Sequence, residues 1–367
     1  MTALLFLSGT LATVSHEIDW LFDKSVRAQG LARSISWEEL RALVAAAAPG
    51  ERISSIMLGP ERVITPEWDL PFAAKVAVVD HAGHERILLV DLDAGKITGT
   101  RSYIDFPFLV RQLHYNLFIH PWGFYFNVLL AVWVISAIVT GLVSYRRFWR
   151  GFFRRPRWHA ARRVLWGDLH RLIALWSLLF LILISVTGFW YLIPELALRF
   201  GGNAPTQAPV VQRQMMSLDE LAANAEATIP GFEIRLILLP DLSGGPIEFW
   251  GQANEPLMHQ RGNRVRLSSA TGSVLAVHRS SREGALHRWN DTVDALHFGS
   301  FGGLIGRAVW CLFGVATSLL ILSGTLIRAY RFAGEPGWHF GWLGRWRWVN
   351  FGLLFLPAAG LIILILQ

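Results

Sequence analysis

Four apolar runs decide what this chain can fold into. Residues Trp122 to Tyr145, Leu169 to Ile193, Leu304 to Ile327 and Val349 to Leu366 are almost free of charge. Each is close to the ~20 residues a helix needs to cross bilayer hydrocarbon. A shorter run, Ala3 to Val14, opens the chain; at about 1.5 Å per residue it reaches roughly 18 Å, which falls short of a bilayer core. Hydrophobic residues make up 53% of the 367 and charged residues 17%, which excludes a disordered or purely soluble chain. A single cysteine excludes a disulfide framework and a thiolate metal cage.

The net charge of +7 would point to nucleic acid if it lay on one soluble face. Its placement says otherwise. Eight arginines and no acidic residue lie between Arg146 and Arg163, and Arg328 to Arg347 holds four arginines against Glu335. Short basic loops of this kind stay on the cytoplasmic side. Residues 15 to 112 carry 14 acidic and 11 basic side chains, and residues 195 to 303 carry 11 and 9, so both long segments are expected to be extracytoplasmic. The partner this placement implies is the lipid bilayer, not nucleic acid.

The chain is also internally repeated. Ser36-Trp-Glu-Glu39-Leu40 and Ser217-Leu-Asp-Glu220-Leu221 are each followed at the same spacing by Pro-Gly, at Pro49-Gly50 and Pro230-Gly231. Both read as capping boxes that open a helix ending at glycine. Segments rich in β-branched residues follow, closed by turns at Asp93-Ala-Gly95-Lys and Ala270-Thr-Gly272-Ser. The parallel continues through Leu113-His114-Tyr115-Asn-Leu-Phe118 and Leu296-His297-Phe298-Gly-Ser-Phe301 to Gly141 and Gly324, at offsets of 177 to 183 residues. The expected architecture is a mainly α membrane protein, with a four-helix transmembrane bundle plus a C-terminal fifth helix and two tandem-duplicated periplasmic α+β modules. In order these are a first helix (1–20), module 1 (21–113), helix two (114–147), a basic loop (148–167), helix three (168–194), module 2 (195–296), helix four (297–329), a loop (330–347) and helix five (348–367). If Gly9 matches Gly188, the counterpart of His170 falls before Met1, so the first helix is expected to be incomplete at its N-terminus. A cleaved signal peptide competes with this, but no basic stretch precedes the apolar run and no small-x-small site follows it.

Histidine is the residue type with chemistry to offer. Imidazoles on facing helices can take opposite faces of one haem. His114 and His297 meet that requirement by the duplication, each just outside the end of an equivalent helix; His170, in Asp168-Leu-His170-Arg171, stands at the other end. Arg171 could pair with a haem propionate. His16, His120 and His287 are weaker candidates, while His159 and His339 could replace the first-helix ligand. His81, His84, His259 and His278 are expected at the surface of the modules. An isolated interfacial histidine ordinarily hydrogen-bonds water or headgroups; the matched pair is what argues for ligation. Gly299, Gly302, Gly303 and Gly306 open a membrane helix, where close packing explains them better than phosphate binding. Cys311 reads as packing.

Together, L-H-x-x-x-[LF] entering helices two and four, D-L-H-R opening helix three, [ST]-G or S-G-T near helix ends, and two modules of helix plus hairpins resemble the PepSY-associated transmembrane family. Within it the chain is most similar to iron-regulated inner-membrane proteins and to di-haem ferric-siderophore reductases of the FoxB type. The resemblance implies a bacterial inner-membrane oxidoreductase carrying one or two b-type haems, with a ferric siderophore as substrate and an electron donor it does not identify. It implies His114, His297 and His170 as iron ligands. The alternatives are a non-redox, membrane-anchored binding or regulatory protein and a transporter. The transporter is disfavoured because each copy has an even number of helices, so the repeats are not inverted. A docking surface for the chelate is expected in a cleft between the modules, near Trp68, Tyr103, Phe106 and Trp250.

Overall fold

A computed structural model describes residues 1–59, 70–200, 215–241, 245–253, 255, 257–333, 357–362 and 364. In chain order the helices are α1 (Thr2–Thr13), α2 (Ser15–Phe22), α3 (Trp37–Ala47), α4 (Phe106–Asn116), α5 (Trp122–Ser144), α6 (Arg162–Trp176), α7 (Leu178–Trp190), α8 (Leu192–Phe200), α9 (Leu218–Thr228), α10 (Ala285–Phe298) and α11 (Gly303–Ala333). The strands are β1 (Arg52–Met57), β2 (Ala74–Val79), β3 (Glu85–Asp91), β4 (Lys96–Arg101), β5 (Glu233–Leu238), β6 (Ile247–Gln252), β7 (Asn263–Leu267) and β8 (Val274–His278). They fall into a helical unit, Met1–Val14, Leu109–Gly201 and Ala308–Gln367, and a sheet unit, Ser15–Phe108 and Gly202–Arg307.

Trp122–Ser144 and Leu178–Ala197 of the helical unit, and Ser300–Tyr330, most of which belongs to it, are long and apolar enough to cross a bilayer, so this is a membrane protein. At 12 residues α1 is shorter, as expected. The third apolar run does not form the single helix over 168–194 that its hydropathy predicts. Its first part belongs to α6, which carries Asp168 and Arg171, and the helix is interrupted at Ser177; the stretch long and apolar enough to cross a bilayer is Leu178–Ala197. Packing relies on small residues, which let helices approach closely. A Cβ on Gly314 of α11 would collide with Thr10 Oγ1 of α1. Most of the predicted fifth helix lies outside the described residues; 357–362 are helical, with Gly360 against Phe118 and Ile119.

In the sheet unit the two expected α+β repeats share a single sheet. Each half does fold as a helix followed by a four-stranded antiparallel meander, but the two meanders form one sheet of order β4-β3-β2-β1-β5-β6-β7-β8. β1 and β5 pair directly, Ser55 with Leu238, Ile56 with Ile237 and Met57 with Leu236. Alone, each meander would present that strand as an edge of unpaired N–H and C=O groups, and joining them removes both edges. At β1 and β5 the halves are therefore joined by main-chain pairing and not parted. Val76, Val78, Leu88, Val90, Ile247, Phe249, Val265 and Leu267 recur at every second position and form one core with Leu40 and Val44 of α3 and Leu221 and Ala225 of α9. Gly95 and Gly272 take φ of 61° and 66° in the matching turns, which is why glycine stands there.

Only the first predicted capping box forms: Glu39 N–H donates to Ser36 Oγ (3.0 Å) and Ser36 N–H to Glu39 Oε2 (2.6 Å). At the second, Ser217 makes no side-chain cap. The starts of α3 and α9 instead cap each other. Asp219 accepts from Trp37 N–H (2.7 Å) and Glu38 N–H (3.2 Å), while Glu38 accepts from Leu218 N–H (2.7 Å). These carboxylates also meet the positive ends of two helix dipoles. Near β4, Arg101 holds Asp19 (2.6 and 2.8 Å) and Asp23 (3.1 Å), tying α2 to the sheet. Asp219→Ala and Glu38→Ala should each cost about 1 kcal/mol by loss of a cap. In thermal unfolding of the detergent-purified protein, the double variant should lose less than the sum. Strict additivity would contradict a reciprocal cap.

Candidate functional site

Two histidines of the helical unit sit in the same local setting. His114, near the end of α4, lays its ring on α1. Its Nδ1 is 3.0 Å from the Leu5 carbonyl and 3.4 Å from Ser8 Oγ. The ring lies over Gly9, where a Cβ would come within 2.7 Å of Cε1. His170, on α6, does the same to α11: its Nδ1 is 3.1 Å from the Leu320 carbonyl and 2.9 Å from Ser323 Oγ, with Gly324 beneath the ring. The receiving steps are Leu5-Phe-Leu-Ser8-Gly9-Thr10 and Leu320-Ile-Leu-Ser323-Gly324-Thr325, the same L-x-L-S-G-T. In both, the serine hydroxyl donates to the leucine carbonyl, at 3.0 and 2.7 Å. At Gly9 the ring occupies the space a side chain would take, and at Gly324 a Cβ would stand 3.3 Å from Cε1, a tight contact.

A carbonyl oxygen can only accept, so its neighbour Nδ1 carries the proton and Nε2 holds the lone pair. For His170, Nε2 has no hydrogen-bond partner among the described residues. The backbone around His114 is fixed from α5, whose Asn127 Nδ2 donates to the carbonyls of His114 (2.7 Å) and Tyr115 (3.1 Å). Between the helices Leu117 and Phe118 take φ of 55° and 60°, and Asn116 Oδ1 accepts from Phe118 N–H (3.0 Å).

The sequence model of the PepSY-associated TM region matches residues 1–331. The chain belongs to this family. A relative is the uncharacterized protein PA4219 of Pseudomonas aeruginosa, 27% identical over an alignment of 259 residues that covers 62% of this chain. The match spans 64% of that relative's length.

The other candidates in this PepSY-associated chain divide clearly. His297 lies in the sheet unit, in the last turn of α10, where its ring meets Phe298 edge-on at 5.7 Å; the helix then stops at Gly299, φ 66°. The same α10 carries Asp294, 3.4 Å from His259 Nε2, so His259 is 19% exposed and not the surface residue its sequence context suggests. His278 is half-buried beside Glu283 (3.3 Å), whereas His81 and His84 are exposed. His120, His159 and His287 are exposed, and His16 is half-buried in α2. His339 and Trp68 lie outside the described residues. Arg171, read as a propionate partner, is engaged differently: its Nη1 donates to the buried Asp168 (2.9 Å), which Arg157 also grips (2.8 Å). Trp250 is likewise taken, under the Arg264 guanidinium at 3.9 Å, while Tyr103 and Phe106 are exposed. Near His259, burial pushes the Glu255 carboxyl up, but hydrogen bonds from Ser281, Arg279 and Asn263 outweigh it and hold it below the usual carboxylate range.

The sequence reading named both histidines but not the residues that receive them. The duplicated L-x-L-S-G-T was the available signal. It was masked because the tandem repeat aligns helix one with helix three, whereas the twin of Ser8-Gly9 lies on helix four. Gly141 has nothing within 4 Å of its Cβ position, so no ring rests on it. Gly9→Ala should therefore destabilise by about 1–3 kcal/mol through overpacking. Gly141→Ala should be neutral or stabilising, by up to ~1 kcal/mol of helix propensity. Thermal unfolding measures both, and equal effects would contradict the packing described.

Proposed function

We propose that this chain is a haem-carrying oxidoreductase of the bacterial inner membrane, passing electrons across the bilayer to a periplasmic ferric siderophore and so releasing its iron. The observation that carries this reading is the matched anchorage of His114 and His170. An imidazole that gives its Nδ1 proton to a carbonyl is oriented, fixed in one tautomer and made a better donor at Nε2, which is how metal-ligating histidines are held. Two such rings on two copies of one motif, within or beside membrane helices, go beyond what chance hydrogen bonding explains.

Haem b, one or two per chain, would be held by the imidazoles of His114 and of His170, while His297 remains a candidate by the sequence duplication alone. Bound there, haem supplies one-electron transfer. The Leu5 and Leu320 carbonyls and the Ser8 and Ser323 hydroxyls position the imidazoles, and the apolar helices keep water away. Hard oxygen donors hold Fe(III) far more tightly than Fe(II), so one-electron reduction weakens the chelate. A second reading, a non-redox binding module anchored in the membrane, is favoured by β8. This edge strand exposes Val274 (49%), Leu275 (57%) and Val277 (47%), and it could receive an extended partner strand.

The test is anaerobic mixing of the dithionite-reduced, desalted protein with a ferric trihydroxamate in the presence of an Fe(II)-trapping dye. Dye-bound Fe(II) should appear as the reduced protein reoxidises, and His170→Ala should slow it by about tenfold or more, more than the ~1.4 kcal/mol of one decade in rate. Protein that stays reduced beside the chelate would contradict the proposal.

A further inference from the structure

The segment between α5 and α6 is folded, basic and aromatic at once. It begins where α5 ends, at Tyr145, whose N–H donates to the Gly141 carbonyl (2.9 Å), and it makes a 3-10 turn over Phe148–Gly151. Three anchors fix it. Trp176 Nε1 donates to the Phe152 carbonyl (3.1 Å); Gly151 is buried, its Cβ position 2.6 Å from Leu175; and Asp168 Oδ2 accepts from the Arg157 N–H (3.1 Å) and Nε (2.8 Å). Phe152 and Phe153 meet the Trp176 ring edge-on at 5.9 and 6.0 Å.

Held this way, the segment turns outward the groups a soluble surface would avoid. Trp149 is 57%, Phe153 85% and Trp158 63% exposed. Among them Arg146, Arg147, Arg150, Arg154 and Arg155 are exposed, and none makes an ion pair among the described residues. Asp168, which lies against this segment, is occupied by Arg157 and Arg171. Arg162 and Arg163 stand in the first turn of α6, which has no acidic residue and no side-chain cap. Cations are unfavourable at that end of a helix dipole unless an anion offsets them.

We infer that this segment is a binding site for the headgroups of anionic phospholipids, with the arginines forking onto the phosphodiester and the exposed rings seated at the headgroup–acyl boundary. Two observations choose lipid over an acidic soluble protein. The segment starts one residue after a helix that crosses the bilayer, so headgroups are at its own depth. Its rings interleave with its arginines, an arrangement that suits the membrane interface and would expose apolar area to water otherwise. Guanidinium matches phosphate with paired hydrogen bonds, which explains arginine throughout and no lysine between 146 and 163. The site goes beyond general attraction to a charged surface because its backbone is clamped, and it does not depend on the electron-transfer proposal.

Native mass spectrometry of the full chain, released from micelles containing equal phosphatidylglycerol and phosphatidylcholine, tests it. Phosphatidylglycerol should be retained preferentially. Arg154→Gln/Arg155→Gln should weaken that preference by about tenfold, given the usual worth of an arginine beside anionic lipid. Arg282→Gln/Arg288→Gln, with the same loss of charge elsewhere, should leave it unchanged, and Phe153→Ser/Trp158→Ser should reduce retention of both lipids. Equal retention of the two lipids would overturn the inference. So would equal loss in both arginine variants, full competition by inorganic phosphate, or preferential capture of polyglutamate, which would assign the surface to an acidic protein.

Discussion

Hydrocarbon neither gives nor accepts a hydrogen bond, and this constraint sorts the polar groups of the helical unit. Most hydroxyls in its helices turn back on their own backbone: Thr10 to the Phe6 carbonyl, Thr140 to Ser136, Thr187 to Leu183, Ser318 to Gly314 and Thr325 to Ile321. His114 and His170 behave differently. Each reaches across to another helix, and each is met by a carbonyl, a serine hydroxyl and a glycine that makes room. A ring whose Nδ1 proton goes to a carbonyl is fixed in one tautomer and orientation, and this anchoring is the physical basis of the proposed haem sites.

The sheet unit answers to a different constraint. Its backbone groups are exposed to pairing wherever a strand ends a sheet, and the fusion of β1 with β5 removes two such edges at the centre. The reciprocal Asp219 and Glu38 caps reinforce that fusion on the helix side, so that α3 and α9 share carboxylates as the two meanders share a sheet.

Much of this was legible in the sequence because it is local. Apolar length marks α5 and α11, Gly95 and Gly272 mark the turns, and Ser36 with Glu39 marks the start of α3. What was not legible depends on partners distant in the chain. Ser217 and Glu220 have the same pattern as Ser36 and Glu39, yet at the start of α9 Ser217 makes no side-chain cap and Glu38 of α3 takes the Leu218 N–H. Arg171 reads as a free cation until Asp168, one turn before it, is seen holding it. His259 reads as a surface residue until Asp294 of α10 is found beside it. The interruption at Ser177 is hidden because hydropathy averages over the charged first turns of α6.

The central claim is that His114 and His170 hold haem iron. A reduced-minus-oxidised visible spectrum, with pyridine haemochrome quantitation, tests it most directly on protein purified from cells supplied with haem. A b-type spectrum should appear, weaken in His114→Ala and in His170→Ala, and weaken further when the two are combined. A colourless protein, or a spectrum that none of these variants alters, would contradict it.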